Sequence, residues 1–389
     1  MRRVYVDYAA TTPVDPQVFE AMKPFFVEFF GNASSVNSSG VKARQAIEEA
    51  RTKIATFMNA DSPEELIFTG SATESNNLVL KGYAFRHGRD KTHIAVSTIE
   101  HDCVLNAAKW LKQRGYRVDF IPVDRYGIVD LVNLENAIKK GANLVSIIHG
   151  NNEIGTIEPV EEIATLCHKN NVLFHTDAAQ SFGKVPIDVK KMGIDMMTIN
   201  AHKLYGPKGV GALYISKGIE LEPLLHGGGH EFGLRSSTEN VPGIVGFAKA
   251  VELRKDEMKP ETERLSGLRD KLIKGTLEIE DSYLNGHPIR RLPNNANFRF
   301  SYIEGEAIVL GLDIEGIEAS SGSACSSKSG EPSHVLLAIG LRSEVARGSL
   351  RISLGKHNTP EDIDYILEVL PKVVHRLREM SPLAKKVNL

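Results

Sequence analysis

Cysteine is scarce in this sequence. The 389 residues include three cysteines, Cys103, Cys167 and Cys325, and no two of them stand at the spacing of a CxxC motif or a zinc site. A disulfide framework needs cysteines in pairs, and a structural zinc site needs a cluster of ligands. The pattern therefore disfavours both, and each cysteine is considered as a single thiol.

Long apolar runs and a surplus of charge are also missing. No run of about 18 or more apolar residues occurs, which argues against a membrane-spanning helix. The opening MRRVYVDYAA has positive charges without an apolar stretch behind them, so no signal peptide is predicted and we expect a cytoplasmic protein. The formal net charge of -2 gives no field that would attract nucleic acid or anionic lipid. Any binding partner must therefore be recognised through local contacts and not through the overall charge of the protein.

The length of the chain and the pattern of residues along it predict two domains. A chain of 389 residues exceeds the size, roughly 250–300 residues, at which single cores stop growing. Between residues 65 and 216, short apolar runs alternate with amphipathic stretches, which is typical of a largely parallel sheet covered by helices. The run VGALYIS follows a Gly-Pro-Lys-Gly turn so closely that we expect it to be antiparallel. We predict a large domain over 15–258 and a smaller α/β domain over 1–14 and 259–389.

Polar residues follow several of these apolar runs. GSATESNN comes after ELIFT, IEHD after HIAVST, HGNNE after LVSII and AHK after DMMTIN, while VLFHTDAAQ carries Asp177 and Gln180. Each has a purely structural explanation when taken alone: Asn and Asp cap helices, His101 can be a surface histidine, and Lys203 a solvated charge. In open α/β sheets, however, the loops at the carboxyl ends of the strands converge on a ligand. Together the segments predict one shared site.

The same loops indicate one cofactor. Residues 70–73 lie where a strand turns into a helix and offer N–H groups to a phosphate, although Ser71 or Thr73 could serve only as a helix cap. The spacing fits neither the dinucleotide fingerprint nor a Walker loop. Lys203, just after an apolar strand, can have its pKa lowered by desolvation and form a Schiff base. Asp177 ends the neighbouring strand, where a protonated pyridine nitrogen needs a carboxylate. The combination predicts pyridoxal 5'-phosphate.

Ordered blocks along nearly the whole chain resemble the cysteine desulfurases, a family of the aminotransferase-like, fold type I pyridoxal-phosphate enzymes. The blocks are YVDYAATTP, GNASS, FTGSATESNN, STIEHDCV, HGNNEIGT, HTDAAQS, NAHKLYGPKGVGALY, HGGGHEFGLRSSTEN, SSGSACSS and LRISLG. The resemblance implies an α/β fold with a mainly parallel seven-stranded sheet, a smaller C-terminal α/β domain and a homodimer. It also implies a reaction in which L-cysteine gives up its sulfur to an enzyme cysteine and leaves as L-alanine.

Carried over residue by residue, the resemblance assigns the cofactor ring. Lys203 would form the Schiff base, and Asp177 would pair with the pyridine nitrogen. Gln180 would donate a hydrogen bond to the phenolic oxygen. His101 would stack on the ring, and either Lys203 or His101 would move the α proton of the substrate.

The resemblance also assigns the phosphate and the substrate. Thr238 would reach the phosphate from the other subunit, and the phosphate contacts implied are Ala72, Thr73, Asn200, His202 and Thr238. Asn152 would contact the cofactor or the substrate. Arg351 would hold the substrate carboxylate in a two-pronged contact, and Asn32 is a second candidate for that task. The family usually has serine where this chain has Asn200, but an amide can also donate to a phosphate oxygen.

Cys325 differs from the other two cysteines in its surroundings. Cys103 and Cys167 fall on apolar faces of predicted helices, where free cysteine usually behaves as a small buried hydrophobic residue. Cys325 lies in EASSGSACSSKSGEPSHV, a polar stretch of small residues that predicts an exposed, mobile loop. Its presence there could be an accident of composition. Beside a pyridoxal site, however, a loop could carry its thiolate to the substrate sulfur and then deliver that sulfur elsewhere.

Several alternatives stay open at the level of sequence. A selenocysteine lyase, or a relative that releases sulfur by elimination, would share most of these residues. A non-catalytic sulfur-transfer or scaffold protein would not need Lys203, Asp177 and His101 together. For the cysteine desulfurase reading we expect a sulfur-acceptor protein, such as an iron-sulfur cluster scaffold, as partner. Cys325 is the one candidate metal ligand, as part of a cluster shared with such a partner.

Overall fold

The computed structural model describes residues 2–322 and 332–382 of the chain. Its strands are β1 (Val4–Tyr5), β2 (Leu66–Thr69), β3 (His93–Ser97), β4 (Arg117–Ile121), β5 (Leu144–Ser146), β6 (Leu173–Asp177), β7 (Met196–Asn200), β8 (Gly211–Ile215), β9 (Ser282–Asn285), β10 (Asn295–Phe300), β11 (Ile317–Glu318) and β12 (Ser349–Ser353).

A seven-stranded sheet in the order β2-β8-β7-β6-β5-β3-β4 forms the centre of the fold. β8 pairs antiparallel with both of its neighbours, β2 and β7, and the other pairs are parallel. This confirms the predicted α/β class, the largely parallel sheet and the antiparallel direction of the last strand. β8 lies between β2 and β7 and not at an edge of the sheet.

The helices cover both faces of this sheet and continue into the C-terminal part. They are α1 (Pro16–Met22), α2 (Pro24–Val27), α3 (Ser38–Phe57), α4 (Ala72–Asn77), α5 (Tyr83–His87), α6 (Asp102–Gln113), α7 (Leu131–Lys139), α8 (Val160–Lys169), α9 (Val241–Thr276), α10 (Gly305–Ile314), α11 (His334–Ala338), α12 (Ser343–Ala346) and α13 (Pro360–Met380), and a π-helical turn, Leu78–Gly82, joins α4 to α5. Among the described helices, none is both long and apolar enough to span a membrane.

The strands of the central sheet bury both faces because their apolar side chains alternate between two cores. Phe174 and Met197 pack on one side with residues from α3, α8 and the start of α9. Val96 and Leu213 pack on the other side with residues from α6 and the π-helical turn. Burying each such side chain contributes roughly 1.5–3 kcal/mol. The sheet is therefore a rigid base for the loops at its edges.

A second, antiparallel sheet in the order β12-β10-β9 has its own core. This core takes residues from the second half of α9 and from α13, and it also takes Val4 and Val6 from the N-terminal segment. β1 pairs with β11 beside it. Helix α9 thus contributes to both cores, and the domain boundary predicted after residue 258 falls inside this helix.

Polar residues collect at the carboxyl edge of the central sheet. β6 ends at Asp177 and β7 ends at Asn200, and these strands run parallel in register. The loops that follow β2, β3 and β5 reach the same edge because those strands run in the same direction. The fold therefore brings the segments singled out in the sequence to one place.

Beside this edge, Glu158 is buried with a single hydrogen bond to its carboxylate, from the N–H of Val129 at 3.0 Å. Desolvation raises the pKa of Glu158 from 4.5 to about 8. The folded chain then holds a proton that the unfolded chain has lost, so stability falls as the pH rises from about 4.5 through 8. Glu158→Gln cannot ionise, and its stability relative to the parent should increase by a few kcal/mol over this range.

Urea unfolding midpoints of the parent and of Glu158→Gln at both ends of the range test this expectation. Glu161→Gln is a suitable control, because Glu161 lies nearby on α8 with its side chain 55% exposed. A Glu158→Gln difference that stays constant with pH would contradict the assignment of this buried carboxyl.

Candidate active site

A cavity of about 350 Å³ opens at the carboxyl edge of the central sheet. It is lined by Ala9, Ala10, Ser71, Ala72, Thr73, His101, Asp102, Cys103, Ile148, Asn152, Glu153, Asp177, Ala179, Gln180, Asn200, His202, Lys203, Gly322, His334 and Arg351. Most of the predicted site residues therefore share one cavity, of a size typical of small-molecule sites.

Lys203 is held by the N-terminal turn of the chain. Its Nζ donates to the backbone oxygens of Ala9 at 2.6 Å and of Ala10 at 2.5 Å. The turn is fixed on the lysine loop by Thr12, whose N–H and Oγ both donate to the backbone oxygen of His202. The lysine amine is thus aimed by backbone atoms, which cannot change rotamer.

Asp177 lies on the floor of the cavity at the end of β6. Its Oδ2 accepts from the Asn76 amide at 2.7 Å, and its Oδ1 accepts from the Ala179 N–H at 2.9 Å. Burial raises the pKa of Asp177, and nearby His101 and Lys203 offset this only in part. A carboxylate in this setting is stabilised by a cationic partner such as a protonated pyridine nitrogen.

Gln180 follows in the same turn and contacts the N-terminal turn that also holds Lys203. Its Nε2 donates to the Ala9 oxygen at 2.8 Å, so Ala9 accepts from both Gln180 and Lys203. The predicted contact of Gln180 with a phenolic oxygen requires one further amide hydrogen, which Nε2 still has.

His101 caps the N-terminus of α6 with its imidazole. Its Nδ1 accepts from the backbone N–H of Cys103 at 3.2 Å, and the Cys103 Sγ lies 3.0 Å from the same nitrogen. The ring is therefore anchored by its own helix and also lines the cavity. This geometry suits a ring that packs against a flat cofactor.

The opposite end of the cavity can hold a phosphate. Ser71 caps α4 by accepting the Glu74 N–H, and the N–H groups of Ala72 and Thr73 precede the first intrahelical bonds, so they are available to a ligand. Strand β8 passes close by, and a Cβ on Gly211 would come within 2.8 Å of the Ser71 backbone. Backbone atoms of residues 71–73 and of β8 thus form the two sides of this phosphate cradle.

His202 and Asn200 face this cradle. Burial and the nearby lysines lower the pKa of His202 to about 4, so the imidazole is neutral near pH 7 and can donate one N–H. Thr11 Oγ lies 3.2 Å from its Nδ1. In the described part of the chain, the buried Oδ1 of Asn200 has no hydrogen-bond partner. A half turn of the Asn200 amide would present its NH2 group to a phosphate.

Arg351 lies at the mouth of the cavity on β12. One guanidinium nitrogen donates to the Asp7 carboxylate at 2.6 Å, and the other donates to the backbone oxygens of Asn152 at 3.1 Å and Gly322 at 3.3 Å. Arg351 is buried, and its Nε has no partner among the described residues. A charged donor left over in this way suits a substrate carboxylate.

Some predicted residues do not join this cavity. Thr238 is exposed and Asn32 is exposed, and neither is among the cavity-lining residues within the one described chain. Asn32 instead accepts the Ser34 N–H in a local turn. Cys325 lies outside the described residues, and the roles assigned to these three residues stay predictions.

The structure adds site residues that the sequence reasoning missed. Cys103 lines the cavity as well as packing against the apolar core, so it is more than the structural residue that its helical position predicted. Asn76 follows Thr73 by three residues, and this spacing on one helix face could have identified it. Burial raises the pKa of Glu153, which accepts from Ser333 at 2.5 Å. Glu153 ends the HGNNE segment that follows an apolar run, and this position could have identified it.

The comparisons with known proteins agree with this geometry. The model of the family described as aminotransferase class-V matches residues 4–366. The chain belongs to this family. Enzymes of the class-V family use pyridoxal phosphate, which confirms the predicted cofactor.

Individual relatives and solved structures give a more specific comparison than the family as a whole. Cysteine desulfurase IscS 1 of Archaeoglobus fulgidus is 56% identical over 98% of this chain and all of its own length. A solved structure described as a NifS-like protein is 40% identical, has a TM-score of 0.91 and is matched over 97% of this chain and all of its own. SspA in complex with cysteine is 39% identical with a TM-score of 0.81, over 91% of this chain and 99% of its own. The predicted family is thereby confirmed.

The residues present fit pyridoxal phosphate. Lys203 supplies an amine, Asp177 supplies a buried anion for the pyridine nitrogen, and Ala72 and Thr73 supply N–H donors at the phosphate end. The unpaired Oδ1 of Asn200 marks a polar position at the phosphate end that still needs a partner.

Asn200→Ser should bind pyridoxal phosphate about as tightly as the parent, because a hydroxyl can donate to the phosphate as the amide does. Asn200→Ala should bind it at least about tenfold more weakly, since a hydrogen bond to a charged group contributes about 1.5–3 kcal/mol. Fluorescence titration with pyridoxal phosphate gives both affinities. Asn170→Ala, on the exposed end of α8, is the control. Equal affinity of Asn200→Ala and the parent would remove Asn200 from the phosphate site.

Proposed function

We propose that the chain is a cysteine desulfurase that uses pyridoxal phosphate to move sulfur from L-cysteine to Cys325, with release of L-alanine. The observation that carries this proposal is the convergence of Lys203, Asp177, His101 and Arg351 on one cavity. The relative of known name with 56% identity supports the choice of reaction within the class-V family.

Pyridoxal phosphate, when bound, supplies an aldehyde for the substrate amine and a ring that accepts electrons from the substrate carbon. The protein supplies positions and protons. Lys203 Nζ lies 2.6 Å from the Ala9 oxygen on the cavity wall, where it can take and return the α proton. His101 shares the cavity and is the second group able to move a proton.

Arg351 orients the substrate. Its Nε and the remaining hydrogen of its Asp7-bound nitrogen can receive the carboxylate side-on, while Asn152 and Gly322 hold the other nitrogen through their backbone oxygens. Fixing the carboxylate limits the rotation of the substrate. Gly322 and His334 line the same cavity as Arg351, so a substrate held by Arg351 lies in the cavity that they line.

Cys325 is the sulfur acceptor in this proposal. Gly322, which lines the cavity, precedes Cys325 by three residues, and three residues span at most about 10 Å. The enzyme thiol and L-cysteine become an enzyme persulfide and L-alanine: one carbon–sulfur bond breaks, one sulfur–sulfur bond forms, and the carbon gains a proton. No external oxidant or reductant is needed. The persulfide sulfur then passes to an acceptor protein.

A homodimer would complete the site. Thr238 lies on the segment that contains His230, and His230 lies 3.2 Å from Ser34 Oγ. The neighbouring surface exposes large apolar side chains, including Phe26 at 58% and Phe30 at 75%. Exposed apolar side chains of this size mark interaction surfaces. We propose that a second copy of the chain covers them and receives Thr238 at its phosphate site.

Other finer features remain proposals. The two separate cores support the division into a large domain over 15–258 and a small domain over 1–14 and 259–389. A scaffold for iron-sulfur clusters is the acceptor that we expect, with Cys325 as a possible shared ligand. Within residues 2–322 and 332–382, no group of His, Cys, Asp or Glu could hold a metal by itself. A cytoplasmic location remains the expectation from the sequence.

Cys325→Ser tests the division of labour. The variant should keep the bound cofactor and its first spectral change on adding L-cysteine, because the cofactor contacts come from other residues. It should lose alanine formation and the added sulfur atom that intact-mass spectrometry detects on the parent. Loss of cofactor from the variant would instead make Cys325 a structural residue.

Mixing two defective chains tests the shared site. If Thr238 serves the partner's site, a dimer of a Lys203→Ala chain and a Thr238→Ala chain has one site with both lesions and one site with neither. Activity should therefore reappear on mixing, at a cofactor concentration where each variant alone is inactive. No recovery despite demonstrated subunit exchange would place Thr238 in its own subunit's site.

A further inference from the structure

A continuous hydrogen-bonded path joins Asp177 to His101 through two residues that have no role in the proposed reaction. Asn76 Nδ2 lies 2.7 Å from Asp177 Oδ2 and 3.1 Å from Cys103 Sγ. Cys103 Sγ lies 3.0 Å from His101 Nδ1. Asn76 is fully buried, and Cys103 lines the cavity. The path therefore runs directly beneath the cofactor site.

The direction of each bond follows from the backbone. The N–H of Cys103 donates to His101 Nδ1 at 3.2 Å, so this nitrogen presents a lone pair and not a proton. The thiol then has one arrangement that satisfies both neighbours: its Sγ accepts from the Asn76 amide, and its S–H donates to His101 Nδ1, whose lone pair it shares with the Cys103 N–H. Thr73 is a further polar neighbour of the same sulfur.

The environment keeps Cys103 in the thiol form that this arrangement needs. Burial raises the pKa of Cys103 to about 12, and the charge of Asp177 acts in the same direction. A thiol that stays protonated is a poor nucleophile. Cys103 is thus suited to donate a hydrogen bond and unsuited to accept sulfur.

We propose that Cys103 is a positioning residue whose thiol, together with its own backbone N–H, holds the imidazole of His101 in the tautomer with its proton on Nε2 and links it through Asn76 to Asp177. The inference rests on the proposed role of His101 in the reaction. In this tautomer Nε2 donates a hydrogen bond, so His101 assists as a donor and Lys203 remains to remove the α proton.

Three variants of the full-length holoenzyme test the proposal. Cys103→Ala removes the side-chain donor to Nδ1 and keeps the backbone N–H, and Cys103→Ser replaces the thiol with a hydroxyl that can make both side-chain contacts. Cys167→Ala removes a thiol that is fully buried in α8 within the large core. It serves as the matched control for deletion of a buried cysteine.

Cys103→Ala should lower kcat about fivefold with an unchanged KM for L-cysteine, which is the size of one lost hydrogen bond. Cys103→Ser should recover most of kcat, and Cys167→Ala should match the parent. Equal kcat values for Cys103→Ala and the parent, or no recovery in Cys103→Ser, would overturn the proposal.

The tautomer gives a readout that does not depend on the reaction. Nitrogen NMR of histidine-labelled holoenzyme, with the His101 signals identified from a His101→Gln variant, should show a protonated Nε2 and an unprotonated Nδ1 in the parent. Cys103→Ala should shift the Nδ1 signal, and Cys103→Ser should restore it. A protonated Nδ1 in the parent would refute the proposal even if the enzyme is an active desulfurase.

Mass spectrometry separates positioning from sulfur transfer. In a Cys325→Ser chain incubated with L-cysteine, the peptide that contains Cys103 should gain no sulfur. Added sulfur on that peptide would make Cys103 an acceptor and overturn the positioning role. If the parent forms no persulfide at all, the proposed function fails, while the NMR comparison still decides the role of Cys103.

Discussion

The contact between the N-terminal turn and Lys203 organises the site. The Ala9 oxygen accepts hydrogen bonds from Lys203 and Gln180 together, and the Ala9 N–H donates to Ser353 Oγ at 2.8 Å on the second sheet. Two residues earlier, Asp7 pairs with Arg351. One short segment therefore sets the lysine, the glutamine and the arginine relative to each other, although these residues come from different sheets. A shift of this segment would disturb the cofactor and substrate ends at once.

Burial shifts the pKa values of the ionisable groups in the cavity and so determines where charge lies. Burial raises the pKa of Asp177 on the floor and lowers the pKa of His202 to about 4 at the phosphate end. Asp177 gains from a cationic ring nitrogen, and a neutral His202 can donate to a phosphate without adding a charge. The ion pair of Arg351 and Asp7 neutralises the charge at the substrate end of the cavity while no substrate carboxylate is bound. The cavity thus has three regions that differ in charge: the Asp177 carboxylate on the floor, the neutral His202 at the phosphate end, and the Arg351 and Asp7 pair at the substrate end. These regions match the ring nitrogen and the phosphate of the cofactor and the carboxylate of the substrate.

The sequence was sufficient to predict what depends on local pattern. Apolar runs located the strands, and the polar residues at their ends, such as Asp177, located the site, because parallel strands must end at one edge. The partners of Asn76 and Cys103 could not be predicted, since they depend on how α4 and α6 pack over β6. Nor could the pairing of Asp7 with Arg351, which joins residues 344 positions apart. Thr238 and Asn32 do not line the cavity in the described part of one chain, and the roles predicted for them stay predictions.

The two proposals assign different tasks to Cys103 and Cys325. A thiol inside the cavity, such as Cys103, shares a desolvated space with Asp177, and both effects oppose its ionisation. Burial, with the charge of Asp177 in addition, therefore keeps Cys103 protonated and a poor nucleophile. A sulfur acceptor that must also pass its cargo to another protein has to ionise in water and approach only when the substrate is ready. In the proposed function this acceptor is Cys325, which follows Gly322 by three residues in the sequence, and the proposed task of the cavity thiol is to orient His101.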